Sequence, residues 1–122
     1  MATFTKIALT GSVQSSKSGK GLLVTGTTTG ASVTSHTTGT SAVIFDEIWL
    51  YASNNSASAV NLTLEWDGTS NNTVLSIAAN KTVLVVPGWM LSGDGAGTAS
   101  TVKAYAGTGS VINLFGFVNR IA

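Results

Sequence analysis

Val60-Asn61-Leu62-Thr63-Leu64-Glu65-Trp66-Asp67 alternates without a break between apolar and polar residues. Val60, Leu62, Leu64 and Trp66 share one side of an extended chain, and Asn61, Thr63, Glu65 and Asp67 share the other, which is the period of two of a half-buried strand. Outward from this segment, further strands are expected over residues 3–10, 21–26, 41–52, 73–78, 81–86, 100–106 and 110–119. Between them lie Gly-Ser, Asn-Asn-Ser, Asp-Gly-Thr-Ser-Asn-Asn and Ser-Gly-Asp-Gly-Ala-Gly runs, whose Gly, Asn and Asp residues turn the chain by visiting positive φ or by forming Asx turns. No window combines apolar residues at i, i+3, i+4 and i+7 with a helix cap in front.

Composition supports the same class. The 18 Thr, 12 Val and 6 Ile are β-branched side chains that fit a pleated surface better than a helix. The chain has 122 residues, room for a single domain, and charged residues make up only 9% against the roughly 25% of an ordinary soluble domain. Its polarity comes instead from Thr, 15 Ser and 8 Asn. The expected fold is all-β, an antiparallel jelly-roll-like β-sandwich of about eight strands spanning residues 1–122. Residues 1–10 are read as either an N-terminal arm or the first strand. The Thr-rich stretch 27–40 is read as a mobile loop, although its composition equally permits an edge strand.

The charge balance excludes several partners. A net charge of +1 gives no electrostatic footprint for nucleic acid or an anionic membrane, so neither is expected as a partner. No stretch approaches the about 20 apolar residues of a membrane-spanning helix, and the N-terminus shows no secretory pattern, which points to synthesis in the cytoplasm. The absence of Cys removes disulfides, thiolate catalysis and Cys-based zinc sites.

Little remains for catalysis, and the chain is not expected to be an enzyme. His36 is the only histidine, and it lies in the Thr-rich stretch with no neighbouring carboxylate, so it is read as a solvated loop residue. Asp46 and Glu47 are adjacent and face opposite ways in a strand, whereas Glu65 and Asp67 share a face and form the one coherent carboxylate pair, read as the polar side of a strand. Asp94 within Gly93-Asp94-Gly95 has the oxygen chemistry of a calcium ligand but no EF-hand spacing, and ordinary turn chemistry explains it. Ser18-Gly19-Lys20-Gly21 and Gly93–Gly97 miss the phosphate-loop patterns and are read as turns. The four N-x-[ST] triplets at Asn54, Asn61, Asn71 and Asn80 are what a chain rich in Asn, Ser and Thr produces by chance. No cofactor and no metal site is assigned.

A second regularity bears on association. In Val43-Ile44-Phe45-Asp46-Glu47-Ile48-Trp49-Leu50-Tyr51, both faces of the expected strand carry bulk, and the same holds for Val111–Val118. A monomer rarely leaves large apolar patches in water, so a homo-oligomer is expected. Candidate contacts with other copies or with a partner are Phe45, Trp49, Tyr51, Trp89, Met90, Phe115 and Phe117. Trp66 is assigned to the core. Trp89 follows Pro87-Gly88, read as a rigid turn that ends its strand and presents Trp89-Met90-Leu91 as an apolar tip.

Four segments resemble small structural proteins encoded by tailed bacteriophages. They are Asp46-Glu47-Ile48-Trp49-Leu50-Tyr51-Ala52, Ala59-Val60-Asn61-Leu62-Thr63-Leu64-Glu65-Trp66, Leu84-Val85-Val86-Pro87-Gly88 and Gly116-Phe117-Val118-Asn119-Arg120-Ile121. The resemblance spans most of the C-terminal two thirds and includes no catalytic motif. It implies a virion component, a capsid decoration or cement protein that assembles, with a trimer favoured, on the major capsid protein at the outer surface of the head and stabilises it. No site residues transfer with it. The alternative expectation is a tail-fibre or receptor-binding module that stacks Trp or Tyr on sugar rings.

Overall fold

The computed structural model describes residues 2–122. Nine strands run along the chain: β1 (Phe4–Ala8), β2 (Leu22–Val24), β3 (Val33–Thr37), β4 (Phe45–Asn54), β5 (Val60–Trp66), β6 (Asn72–Ile77), β7 (Thr82–Leu91), β8 (Thr101–Ala106) and β9 (Ile112–Ile121). Single 3-10 turns lie at Thr10–Ser12 and Thr29–Ala31, and there is no α-helix among the described residues. The alternating segment is β5. Its Leu62 and Leu64 are fully buried, as the period of two requires.

The strands form two antiparallel sheets. The first has the order β1-β9-β4-β7, with β2 also paired to β9, and the second has the order β3-β8-β5-β6. From β2 to β9 the chain visits the sheets in the order first, second, first, second, second, first, second, first. Their inner faces interdigitate into one core, in which Val24, Ile48, Leu50, Ile112, Leu114 and Val118 of the first sheet meet Leu62, Leu64, Val102 and Ala104 of the second. Burying each Leu or Ile there contributes about 1.5–3 kcal/mol. The architecture is therefore a single-domain all-β sandwich of two antiparallel sheets.

Strand β9 organises the first sheet. Its ten residues pair with β4 from Phe45↔Ile121 to Asn54↔Ile112. Its other flank is shared end to end, by β1 from Phe4↔Ile121 to Ala8↔Phe117 and by β2 from Leu22↔Leu114 to Val24↔Ile112. Of the stretch 1–10, Phe4–Ala8 thus supply the first strand, and residue 1 lies outside the described residues. Beyond β1 the pairing continues, since the Thr3 and Ala122 amides each donate to the other's carbonyl, at 2.7 and 2.9 Å. Gly116 sits in the middle of β9, where a Cβ would run into the carbonyl oxygen of Trp49 on β4.

Three expectations change. The stretch 27–40 holds the edge strand β3, with a register shift between Thr34 and His36 that turns two successive residues, Ser35 and His36, into the interior. The count of strands rises to nine accordingly. Pro87-Gly88 does not end its strand: β7 runs on to Leu91, and the register against β4 shifts between Ile48 and Trp49 and again between Leu50 and Tyr51. Pro is tolerated because β7 lies at the sheet edge, and Gly88, at φ +78° against the Trp49 indole, makes the bulge.

Candidate interaction surface and buried polar clusters

The outer face of the first sheet collects most of the residues singled out as contacts. In β4, Asp46, Ile48, Leu50, Ala52 and Asn54 point inward, which leaves Phe45, Glu47, Trp49, Tyr51 and Ser53 outward. In β9, Phe115, Phe117 and Asn119 point outward, opposite Tyr51, Trp49 and Glu47 respectively. On β7, Met90 pairs with Glu47 and Leu84 with Tyr51. Six of the seven expected residues, Phe45, Trp49, Tyr51, Met90, Phe115 and Phe117, therefore lie on one sheet face, and Leu84 and Phe4 extend it. Trp49 and Phe117 stack with centroids 6.1 Å apart and planes inclined by 11°. The Lys6 ammonium stands 4.4 Å over the Phe117 ring, a cation–π contact. Phe45, Tyr51, Leu84, Met90 and Phe115 are all exposed, Met90 to 53%.

One charge is set into this face. Glu47 Oε1 accepts from the Trp49 indole N–H at 2.7 Å and from Asn119 Nδ2 at 3.1 Å. Those two bonds, the Trp49 one foremost, hold the Glu47 carboxyl below its ordinary pKa. Its acceptor capacity is thus partly satisfied by its own sheet, which lowers the cost of covering it with a partner.

Trp89 departs from the expected tip. It pairs with the inward-facing Ile48 and meets Trp66 edge-on, with centroids 5.5 Å apart and an interplanar angle of 78°. The two indoles meet across the sheets, one from β5 and one from β7, and Trp89 remains 40% exposed there. Trp66 packs against the core but is only partly buried.

His36 is buried outright, which corrects its reading as a solvated loop residue. The Thr10 amide donates to His36 Nδ1 at 3.3 Å, so the neutral ring carries its proton on Nε2, which donates to Asp46 Oδ2 at 2.7 Å. Arg120 completes the cluster with a fork, Nε to Oδ1 at 2.7 Å and Nη2 to Oδ2 at 2.9 Å. Burial lowers the pKa of His36 and outweighs the Asp46 hydrogen bond and charge that raise it. Burial alone would raise Asp46, but hydrogen bonds from Arg120 and His36 and the nearby positive charge hold its carboxyl below the usual range. With both ring nitrogens engaged and the ring out of solvent, His36 joins β3 of one sheet to β4 of the other, and Asp46 carries the link on to Arg120 of β9.

The remaining candidates separate. Glu65 is buried beneath the 3-10 turn at Thr29–Ala31, whereas Asp67 is exposed at φ +52° in the turn after β5, so the two carboxylates do not work as a pair. Asp94 Oδ1 accepts from the amides of Ala96 at 2.7 Å and Thr98 at 2.9 Å, an Asx turn whose backbone bonds, Ala96 first, lower its pKa. No three metal-ligating side chains gather among the described residues. No family model matches the chain, and neither the curated proteins nor the solved structures contain a match.

Proposed function

We propose that the chain is a structural virion protein, a capsid decoration or cement protein of a tailed bacteriophage, which binds the outer surface of the head as a homo-oligomer, a trimer being favoured. The observation that carries the reading is the aromatic outer face of the first sheet. Aromatic residues and Met are enriched at protein interfaces, and patches of this kind on soluble domains are seldom left in water. The segments that resemble phage structural proteins become β4, β5, β7 and β9, so the resemblance includes the strands that build this face. We read the order in which the chain alternates between sheets from β2 to β9 as jelly-roll-like, with β1 as an added strand, and jelly rolls recur in viral capsid domains.

Mechanistically the role asks for rigidity and complementarity. A protein that binds the assembled shell and not its dissociated parts stabilises the shell by mass action. Several linked copies engage several lattice points at once, which raises avidity without new contacts. Co-sedimentation with expanded capsids that lack the protein tests the proposal. Saturable binding in a fixed ratio to capsid subunits, together with greater resistance of the shell to heat or dilution, is the expected result. Failure to bind any capsid form would overturn it.

A further inference from the structure

The second sheet carries a feature that an assembly role does not use. Glu65 belongs to the solvent side of β5, yet it is only 3% exposed, because the segment between β2 and β3 crosses over it. That segment is fixed: Gly26 accepts from the Ala106 amide at 3.1 Å, and the 3-10 turn at Thr29–Ala31 follows. Thr29 Oγ1 donates to Glu65 Oε2 at 2.5 Å. No other hydrogen bond and no ion pair reaches the carboxylate among the described residues, although Lys103 stands directly opposite on β8. No buried side-chain oxygen or nitrogen lacks a partner among the described residues, so the free Oε1 opens onto space. That space is a cavity of ≈140 Å3 lined by Thr29, Ser32, Glu65, Thr69, Thr101 and Lys103 around the turn at Gly68.

The carboxylate thus keeps one acceptor oxygen facing the cavity, free to take a donor from whatever enters it. We propose that this cavity is a binding site for a neutral polyhydroxyl ligand, a single sugar ring, held by one hydroxyl that donates to Glu65 Oε1 and a neighbouring hydroxyl that accepts from Lys103. The wall chemistry selects that class. Glu65 and Lys103 offset each other, so a net anion meets the carboxylate and a net cation meets the ammonium. The Thr69 and Thr101 hydroxyls can donate and accept, as sugar hydroxyls do, while Thr29 and Ser32, whose protons go to Glu65 Oε2 and the Thr29 carbonyl, offer acceptors. The volume is well below the about 300–1,000 Å3 of pockets for larger ligands and matches a contact with one ring. Because the cavity lies on the opposite sheet from the aromatic face, the site is independent of the assembly role.

Titration of the purified protein, followed by backbone amide NMR, tests this with methyl glycosides of glucose, galactose, mannose, rhamnose and N-acetylglucosamine, and with glycine and alanine as zwitterions. At least one glycoside is expected to give saturable shifts at Thr29, Ser32, Thr69 and Lys103, weakened at least tenfold by Glu65→Gln. Lys103→Met, at a half-exposed position, is expected to weaken the same shifts and keeps the test valid if Glu65→Gln fails to fold. Absence of saturable shifts with every glycoside, indifference to these substitutions, or shifts produced by the zwitterions alone would overturn the proposal.

Discussion

At the scale of single residues, Asp46 is the group on which most depends. Among the described residues it is the one carboxylate that bridges the sheets, and it holds His36 on one side and Arg120 on the other. Replacing one member of a buried ionic cluster leaves the others unsatisfied, so Asp46→Asn is expected to cost about 3 kcal/mol, read from urea unfolding. The cluster also sets a pH dependence. The folded pKa of His36 lies below its ordinary 6.5, so its contribution to stability is complete above that value and declines as pH falls below it. Asp46, likewise lowered, loses its contribution only further down, from its ordinary 3.8 and through its folded value. The thermal midpoint should therefore fall on acidification below about pH 6.5, and since His36 is the sole histidine, His36→Gln should abolish the decline until carboxylates begin to titrate. None of this was legible in the sequence. Asp46 follows His36 by ten residues and Arg120 lies far beyond both, and only the bulge in β3 turns the imidazole inward.

At the scale of elements, legibility followed side-chain size. β5 announces itself because Val, Leu and Trp recur on one side and β4 because bulk recurs on both, whereas β3, Val-Thr-Ser-His-Thr, carries little bulk and derives its place from pairing with β8. Pro87-Gly88 misled for a related reason, since a strand at a sheet edge can absorb a bulge that a central strand cannot. Similarly, the alternation of β5 placed Glu65 on the solvent side, but the covering Thr29 comes from 36 residues upstream. The close approach of β9 to β4 gives a sharp test. Gly116→Ala drives a methyl group into the Trp49 carbonyl on the neighbouring strand, and a loss of about 1–3 kcal/mol is expected in equilibrium unfolding. Leu62→Ala, on the buried side of β5, is expected to cost about 2–5 kcal/mol by opening a cavity between the sheets.

At the scale of the whole molecule, the sandwich has two unlike outer faces. The face of the first sheet is aromatic and apolar, and the face of the second is covered in part by the segment leading to β3. Light scattering at micromolar concentration should give a mass above the 12.3 kDa of one chain, and three times that mass for a trimer. The double substitution Tyr51→Ser with Phe115→Ser should return it to one chain while leaving the unfolding midpoint of the monomer nearly unchanged, because both side chains are already exposed. A mass of one chain for the unsubstituted protein would remove the basis for assembly through this face. A different consequence follows from the mutual hydrogen bonds of Thr3 and Ala122. The first and last strands leave the fold at the same corner, so a short peptide bridge would join them into a continuous hairpin. New ends opened in the exposed turn at Gly68–Ser70 would then give a circular permutant with the same fold, whereas in the unbridged chain a cargo attached beside either β1 or β9 would be displayed from one common point.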